Sequence, residues 1–221
     1  MRILLKISPS EMLVPFEYQS KLVGCMHKWI GQDNDQHGRM SLYSFSWLYG
    51  ASFSKEGLTF LQGAQMFISF HDESVIRKVI KSILNDPEMF CGLSVKEVDL
   101  VETPDFSRQE VFQCASPIFI KRTDENGKEH QYNFNDAISN ECLKETLLSK
   151  MKLAGIDQDS EFNIRFDNSY ANKRLKLVHY HGIGNKASIC PVIIQGSPEI
   201  KEFAWNVGIG NCTGIGFGSI Y

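Results

Sequence analysis

Five glycines, Gly208, Gly210, Gly214, Gly216 and Gly218, fall within eleven residues of a chain that holds 17 glycines in 221. At that density the backbone approaches a ligand closely or turns through positive φ. Successive N–H groups in such a turn cradle phosphate oxygens. No Gly-Lys-Ser/Thr follows, so this is not a Walker loop. The strand-before, helix-after setting of a dinucleotide fingerprint is also missing. A tight turn leading into a bulged strand fits the same residues.

A second concentration lies just upstream. Between Asp167 and Glu199 there is no acidic residue, and the interval holds Lys173, Arg174, Lys176 and Lys186. Those four positive charges leave −7 on the rest of a chain whose net charge is −3. Tyr170, His179, Tyr180 and His181 are interleaved with them. Cations follow a phosphate backbone and rings stack on bases, so the pattern suits RNA. Lysines guarding an exposed strand edge give the same pattern. His179 and His181 have the spacing of a metal pair, but no carboxylate or Cys stands near them, and neither metal nor cofactor is expected.

Whole-chain averages hide both features. Hydrophobic residues make up 43% and charged residues 22%, an ordinary globular composition. The pI of 6.1 leans away from nucleic-acid domains, which often exceed about 9. Placement of charge counts for more than its sum. No apolar run approaches the ~18–20 residues of a membrane span. Lys6 interrupts the apolar start and no small-residue cleavage site follows, so a signal peptide is not expected. Cys25, Cys91, Cys114, Cys142, Cys190 and Cys212 form no CxxC pair. They read as reduced, mostly buried thiols of a cytoplasmic protein.

The elements that must position these residues follow from periodicity. Residues 2–7 form a strand. Pro15 opens a helix to about Ile30, with Tyr18, Leu22, Met26 and Trp29 on one buried face. Residues 40–48 and 65–70 read as strands. Asp72 or Ser74 caps a second helix, and 93–101 alternates as a strand. This β-α-β-β-α-β order is the split pattern of a ferredoxin-like domain. The second half repeats it loosely. It has a strand at 111–121, a turn at Asn126-Gly127, and a helix from a cap at Asp136 to Leu153. Then come a strand at 161–167, a hairpin of 174–180 with 188–195, a short helix at 198–207 and a last strand at 214–221. The expected fold is α+β, two tandem ferredoxin-like domains over residues 1–104 and 105–221.

Gly208-x-Gly210 followed by Gly216-Phe217-Gly218 resembles the signature of the RAMP superfamily. Within it the chain resembles in particular the CRISPR repeat-processing endoribonucleases. Ser116 to Arg122 is similar to that family's second-domain opening strand. The Pro-headed helix, the His-bearing loop, Leu42-Tyr43-Ser44 and Asp86 to Phe90 are similar to its first domain. The resemblance implies metal-independent cleavage of CRISPR repeat RNA to release guide RNAs. In that chemistry a 2′-OH attacks the adjacent phosphate, leaving 5′-OH and 2′,3′-cyclic phosphate ends.

The family places a catalytic His in the loop after the first helix, where His37 stands here. It often adds a Tyr on the helix and a Lys after the His. His27 departs from the first and Arg39 from the second. Two imidazoles can exchange protons near neutral pH, and a guanidinium can neutralise phosphate. Base and acid are not assigned by sequence. The family's hairpin and glycine-rich loop contact RNA, which implies such contacts for Lys173, Arg174, Lys176, Lys186 and the five glycines. The implied partners are repeat RNA and other CRISPR-associated proteins, with no membrane; monomer and homodimer are both open. Taken singly, a His in a polar loop is a solvated side chain, and Arg39 pairs with Asp33 or Asp35. The rival functions are a non-cutting RNA-holding subunit of the same superfamily and a ferredoxin-like pair that binds a small molecule or protein.

Overall fold

A computed structural model describes residues 1–31, 40–157 and 161–221. The chain starts with β1 (Arg2–Ile7), whose Ile3, Leu5 and Ile7 turn one face into the core. Next come α1 (Gln19–Ile30), β2 (Tyr43–Phe45) and a short hairpin of β3 (Ser52–Phe53) with β4 (Leu58–Thr59). β5 (Ala64–Phe70), α2 (Glu73–Asn85) and β6 (Val95–Val101) complete the first half. The antiparallel sheet runs β2-β5-β1-β6, the ferredoxin-like order.

Tyr18, Leu22, Met26 and Trp29 are all buried, as their spacing requires. The regular helix begins at Gln19 rather than at Pro15. Val14 exchanges backbone hydrogen bonds with Leu58, at 2.9 and 2.8 Å, and is held extended. A residue before proline favours that conformation. Asp72 caps α2, its carboxylate accepting from the Ser74 N–H at 2.8 Å.

The second half holds β7 (Val111–Phe112), β8 (Ile120–Thr123), β9 (Glu129–Tyr132), α3 (Ser139–Ala154) and β10 (Asn163–Phe166). Then follow β11 (Arg174–Tyr180), β12 (Ile183–Ile189), β13 (Val192–Gln195) and α4 (Pro198–Val207). The sheet runs β10-β13-β7, and the chain end extends it: Gln113 and Tyr221 exchange backbone hydrogen bonds at 2.8 and 2.9 Å. This is the order of the first sheet again, so the fold is two ferredoxin-like units in tandem. The β8–β9 and β11–β12 hairpins are additions to the second unit.

Local expectations shift in four places. The expected strand at 214–221 begins instead as a 3-10 turn at Thr213–Ile215 and meets the sheet at its end, where Ile220 bridges Cys114. Strand 111–121 is broken, because the chain leaves the sheet near Pro117 to pack on the glycine-rich segment. Asp136 does not cap α3; its carboxylate accepts from the Asn133 N–H at 2.7 Å. Residues 174–180 pair with 183–189, not 188–195, around a tight turn at His181 and Gly182. Both have positive φ, +49° and +77°, as a two-residue hairpin turn requires.

Arg2 ties the halves together. Its side chain is buried and lies between the rings of Phe67 and Trp205, 3.8 and 3.4 Å from their centres. Nη2 donates to the carbonyls of Trp205 (2.8 Å) and Ile220 (2.6 Å), and Nε donates to Ser69 Oγ (2.7 Å).

Candidate nucleic-acid interface

The five glycines of the C-terminal cluster are all buried at the junction of the two halves. A Cβ on Gly218 would stand 1.8 Å from the Ile209 carbonyl, and one on Gly216 would stand 2.0 Å from Gln19 Nε2. Gly216 and Gly218 also have positive φ, +84° and +66°, so conformation and close packing together account for glycine at both positions. The N–H groups of Gly208, Gly216 and Gly218 donate to the carbonyls of Ala204, Thr213 and Pro117. Three side chains of the first half donate to the same segment. Gln19 Nε2 reaches the Ile215 carbonyl (2.5 Å), Tyr43 Oη that of Gly214 (3.1 Å) and Trp47 Nε1 that of Gly216 (2.9 Å). Burial pushes the Tyr43 phenol up to about 12, which keeps it a donor.

From the other side Lys150 enters the segment. Its ammonium is buried and donates to the carbonyls of Val207 (3.0 Å) and Gly208 (3.1 Å) and to Thr213 Oγ1 (3.0 Å). Desolvation lowers its pKa to about 7. Lysine is usually exposed, so nothing in the sequence marks this position.

The β11–β12 hairpin stands on this junction. Val178 and Ala187 pack with Phe119 and Phe217. Residues opposite one another in an antiparallel pair share a face, and faces alternate along a strand. Arg174 and Lys176 therefore share the face of Val178, while Lys186 lies opposite Leu177 on the other. All three are exposed, and no ion pair engages them among the described residues. Lys173 precedes the strand; its ammonium donates to the carbonyls of Asn168 (2.6 Å) and Tyr170 (3.5 Å). The four cations thus form two faces and a tethered neighbour rather than one stripe.

Two concavities separate the hairpin from the start of α1. One, of about 230 Å³, is lined by Phe16, Tyr18, Trp47, Lys176 and Val178 among others. The other, of about 480 Å³, is lined by Glu17, Ser20, His179, His181 and Gly182. Sequence reading overlooked Glu17, whose carboxylate meets the His179 ring at 2.7 Å.

His27 is half-buried in the last turn of α1, and its carbonyl accepts from the Gly31 N–H. Ser20, Gly24 and His27 fall at i, i+4 and i+7 and share one side of the helix. His37 and Arg39 lie outside the described residues. Beyond them, Ser41 sits against Gly214, where a Cβ would stand 2.2 Å from Ser41 Oγ. Among the described residues, no group of three or more His, Cys, Asp or Glu side chains is arranged to hold a metal ion.

Two ferredoxin-like units joined through a glycine-rich segment, with an exposed basic hairpin above it, define the class: a tandem ferredoxin-like α+β protein. The family model for the C-terminal part of CRISPR-associated protein Cas6 matches residues 101–221. The chain belongs to the Cas6 family. A relative from Pyrococcus horikoshii, a putative CRISPR-associated endoribonuclease-like protein Cas6nc, is 22% identical over 163 residues. That match covers 70% of this chain and 66% of the relative's length. A Cas6-related protein from Pyrococcus furiosus has the same fold, with a TM-score of 0.85 and 20% identity over 100% of this chain and 97% of the other. A RAMP protein described as binding different RNA substrates gives the same TM-score and identity over 100% and 98%. No helix among the described residues is long and apolar enough to cross a membrane.

Proposed function

We propose that the protein is a metal-independent endoribonuclease that cleaves CRISPR repeat RNA and releases guide RNAs. The observation that carries this reading is the exposed basic hairpin facing α1 across two concavities, in a chain of the Cas6 family. Arg174, Lys176 and Lys186 hold the phosphate backbone, and single-stranded bases stack on exposed rings such as Phe16.

In the reaction, the 2′-OH of one ribose loses its proton to a base and attacks the adjacent phosphorus. The P–O5′ bond breaks and an acid protonates the leaving oxygen. His37 and His27 exchange these protons, and Arg39 stabilises the charge that develops on the phosphate. The glycine-rich segment serves as a packed platform that fixes α1, β2 and the hairpin relative to one another.

Incubating the purified protein with labelled repeat RNA in EDTA tests this. Cleavage at one position, with a 5′-OH on one fragment and a 2′,3′-cyclic phosphate on the other, is expected. A scrambled RNA of equal length is expected to stay intact. Tight, salt-sensitive binding without cleavage would instead identify a non-cutting RNA-holding subunit.

A further inference from the structure

Glu17 and His179 stand 162 residues apart in sequence and come from different halves of the fold. His179 Nδ1 lies 2.7 Å from Glu17 Oε1. A carboxylate there favours the tautomer with its proton on Nδ1, which leaves the Nε2 lone pair free to accept a proton. The tautomer follows from this hydrogen bond. The partner opposite His179 in the hairpin is Gly184. A Cβ at Gly184 would stand 3.7 Å from Nε2 and 3.3 Å from Leu177 Cδ1, so a larger residue there would crowd the ring. The ring opens on the concavity of about 480 Å³ that Ser20, His181 and Gly182 also line. Lys176, an exposed cation, lines the adjoining concavity together with His179.

A carboxylate-oriented imidazole at the edge of a cleft of about 480 Å³ has a geometry suited to proton transfer at a phosphodiester. We propose that Glu17 and His179 form a proton-transfer pair for RNA cleavage, His179 Nε2 accepting the proton of the attacking 2′-OH. This rests on the endoribonuclease reading above and moves the base from the His37 and His27 couple to His179, leaving that couple to supply the acid.

The O2′–H proton passes to Nε2, the O2′–P bond forms and the P–O5′ bond breaks. The leaving O5′ takes its proton from His37 or His27, and Glu17 stabilises the imidazolium until it returns its proton to water. Ser20 lines the cleft and shares its side of α1 with His27, about 10 Å further along the axis at 1.5 Å per residue.

Single-turnover cleavage of repeat RNA at saturating protein, across pH, tests the pair. His179→Gln is expected to slow cleavage about 100-fold, with RNA affinity within about twofold of wild type. Glu17→Gln is expected to slow it about tenfold. The His179→Gln pH–rate profile should lose the limb that reports the base, and added imidazole should restore part of the rate of His179→Ala. Wild-type cleavage rates in both variants would overturn the pair and leave the endoribonuclease reading standing. So would weaker affinity with an unchanged saturating rate, which would make His179 an RNA contact only. A wild-type protein that binds repeat RNA and never cuts it would overturn both.

Discussion

Lys150 and Thr213 meet at 3.0 Å, ammonium to hydroxyl, in a site where the lysine also donates to two backbone carbonyls. All three acceptors are neutral, and no carboxylate pairs with the ammonium among the described residues. A buried charge held only by dipoles costs stability, and its three acceptors all belong to one chain segment. That segment is the one to which Gln19, Tyr43 and Trp47 donate from the other half.

Stability should therefore depend on pH through Lys150. Its folded pKa, about 7, lies below the ordinary value of 10.5. Between these the unfolded chain binds a proton that the folded chain does not, so stability rises with pH from about 7, by at most about 1.4 kcal/mol per unit for this group. Buried thiols and phenols with raised pKa, such as Cys114 and Tyr18, act in the opposite sense above about pH 9. Denaturant unfolding from pH 7 to 9 should show the rise in wild type and a flatter profile in Lys150→Met. An identical slope in the two would contradict the assignment.

Arg2 should resist even conservative change. Arg2→Met leaves the carbonyls of Trp205 and Ile220 without their donor, at about 1–3 kcal/mol for each buried group left unpaired. Arg2→Lys keeps the charge but loses the planar fork that stacks between Phe67 and Trp205. Both variants should unfold at lower urea than wild type, Arg2→Met the lower. A wild-type midpoint for either would show that the junction is held elsewhere.

Glycine substitutions should rank by what their Cβ meets. Gly218→Ala drives a methyl into the Ile209 carbonyl, backbone that has no room to yield. Gly127, also at positive φ, faces open space, so Gly127→Ala carries only the strain of its conformation. The melting temperature should fall far more for Gly218→Ala than for Gly127→Ala. Equal falls would show that conformation and not packing selects glycine in the junction.

The four hairpin cations should not be equivalent in RNA binding. Replacing Arg174, Lys176 and Lys186 together with Ala should weaken binding and lower the slope of log affinity against log salt by about 2, at about 0.7 per phosphate contact on a single strand. Lys173→Ala should change the slope least, because its ammonium already serves the Asn168 and Tyr170 carbonyls. Titrations at three salt concentrations measure this, and a Lys173 effect equal to that of Lys176 would contradict it.

The sequence disclosed the tandem ferredoxin-like order and, within it, features set by near neighbours. The buried face of α1 follows from apolar residues at helical spacing, and the cap at Asp72 and the turn at Asn126-Gly127 follow from residue chemistry within a few positions. The hairpin register escaped because Gly182, Gly184 and Asn185 all favour turns, and only pairing across the strands selects among them. Glu17 escaped because its partner lies in the other half of the chain, and Lys150 because burial of a lysine leaves no mark on the sequence. The glycine cluster was visible as an anomaly, but its cause, close approach to Ile209 and Gln19, exists only in the packed molecule.

RNA cleavage by this protein should depend on His37, and single-turnover assays of wild type and His37→Ala on repeat RNA in EDTA decide the point. Wild type should yield 5′-OH and 2′,3′-cyclic phosphate ends, whereas His37→Ala should bind the same RNA with similar affinity and leave it uncut. Cleavage by His37→Ala at the wild-type rate would contradict it.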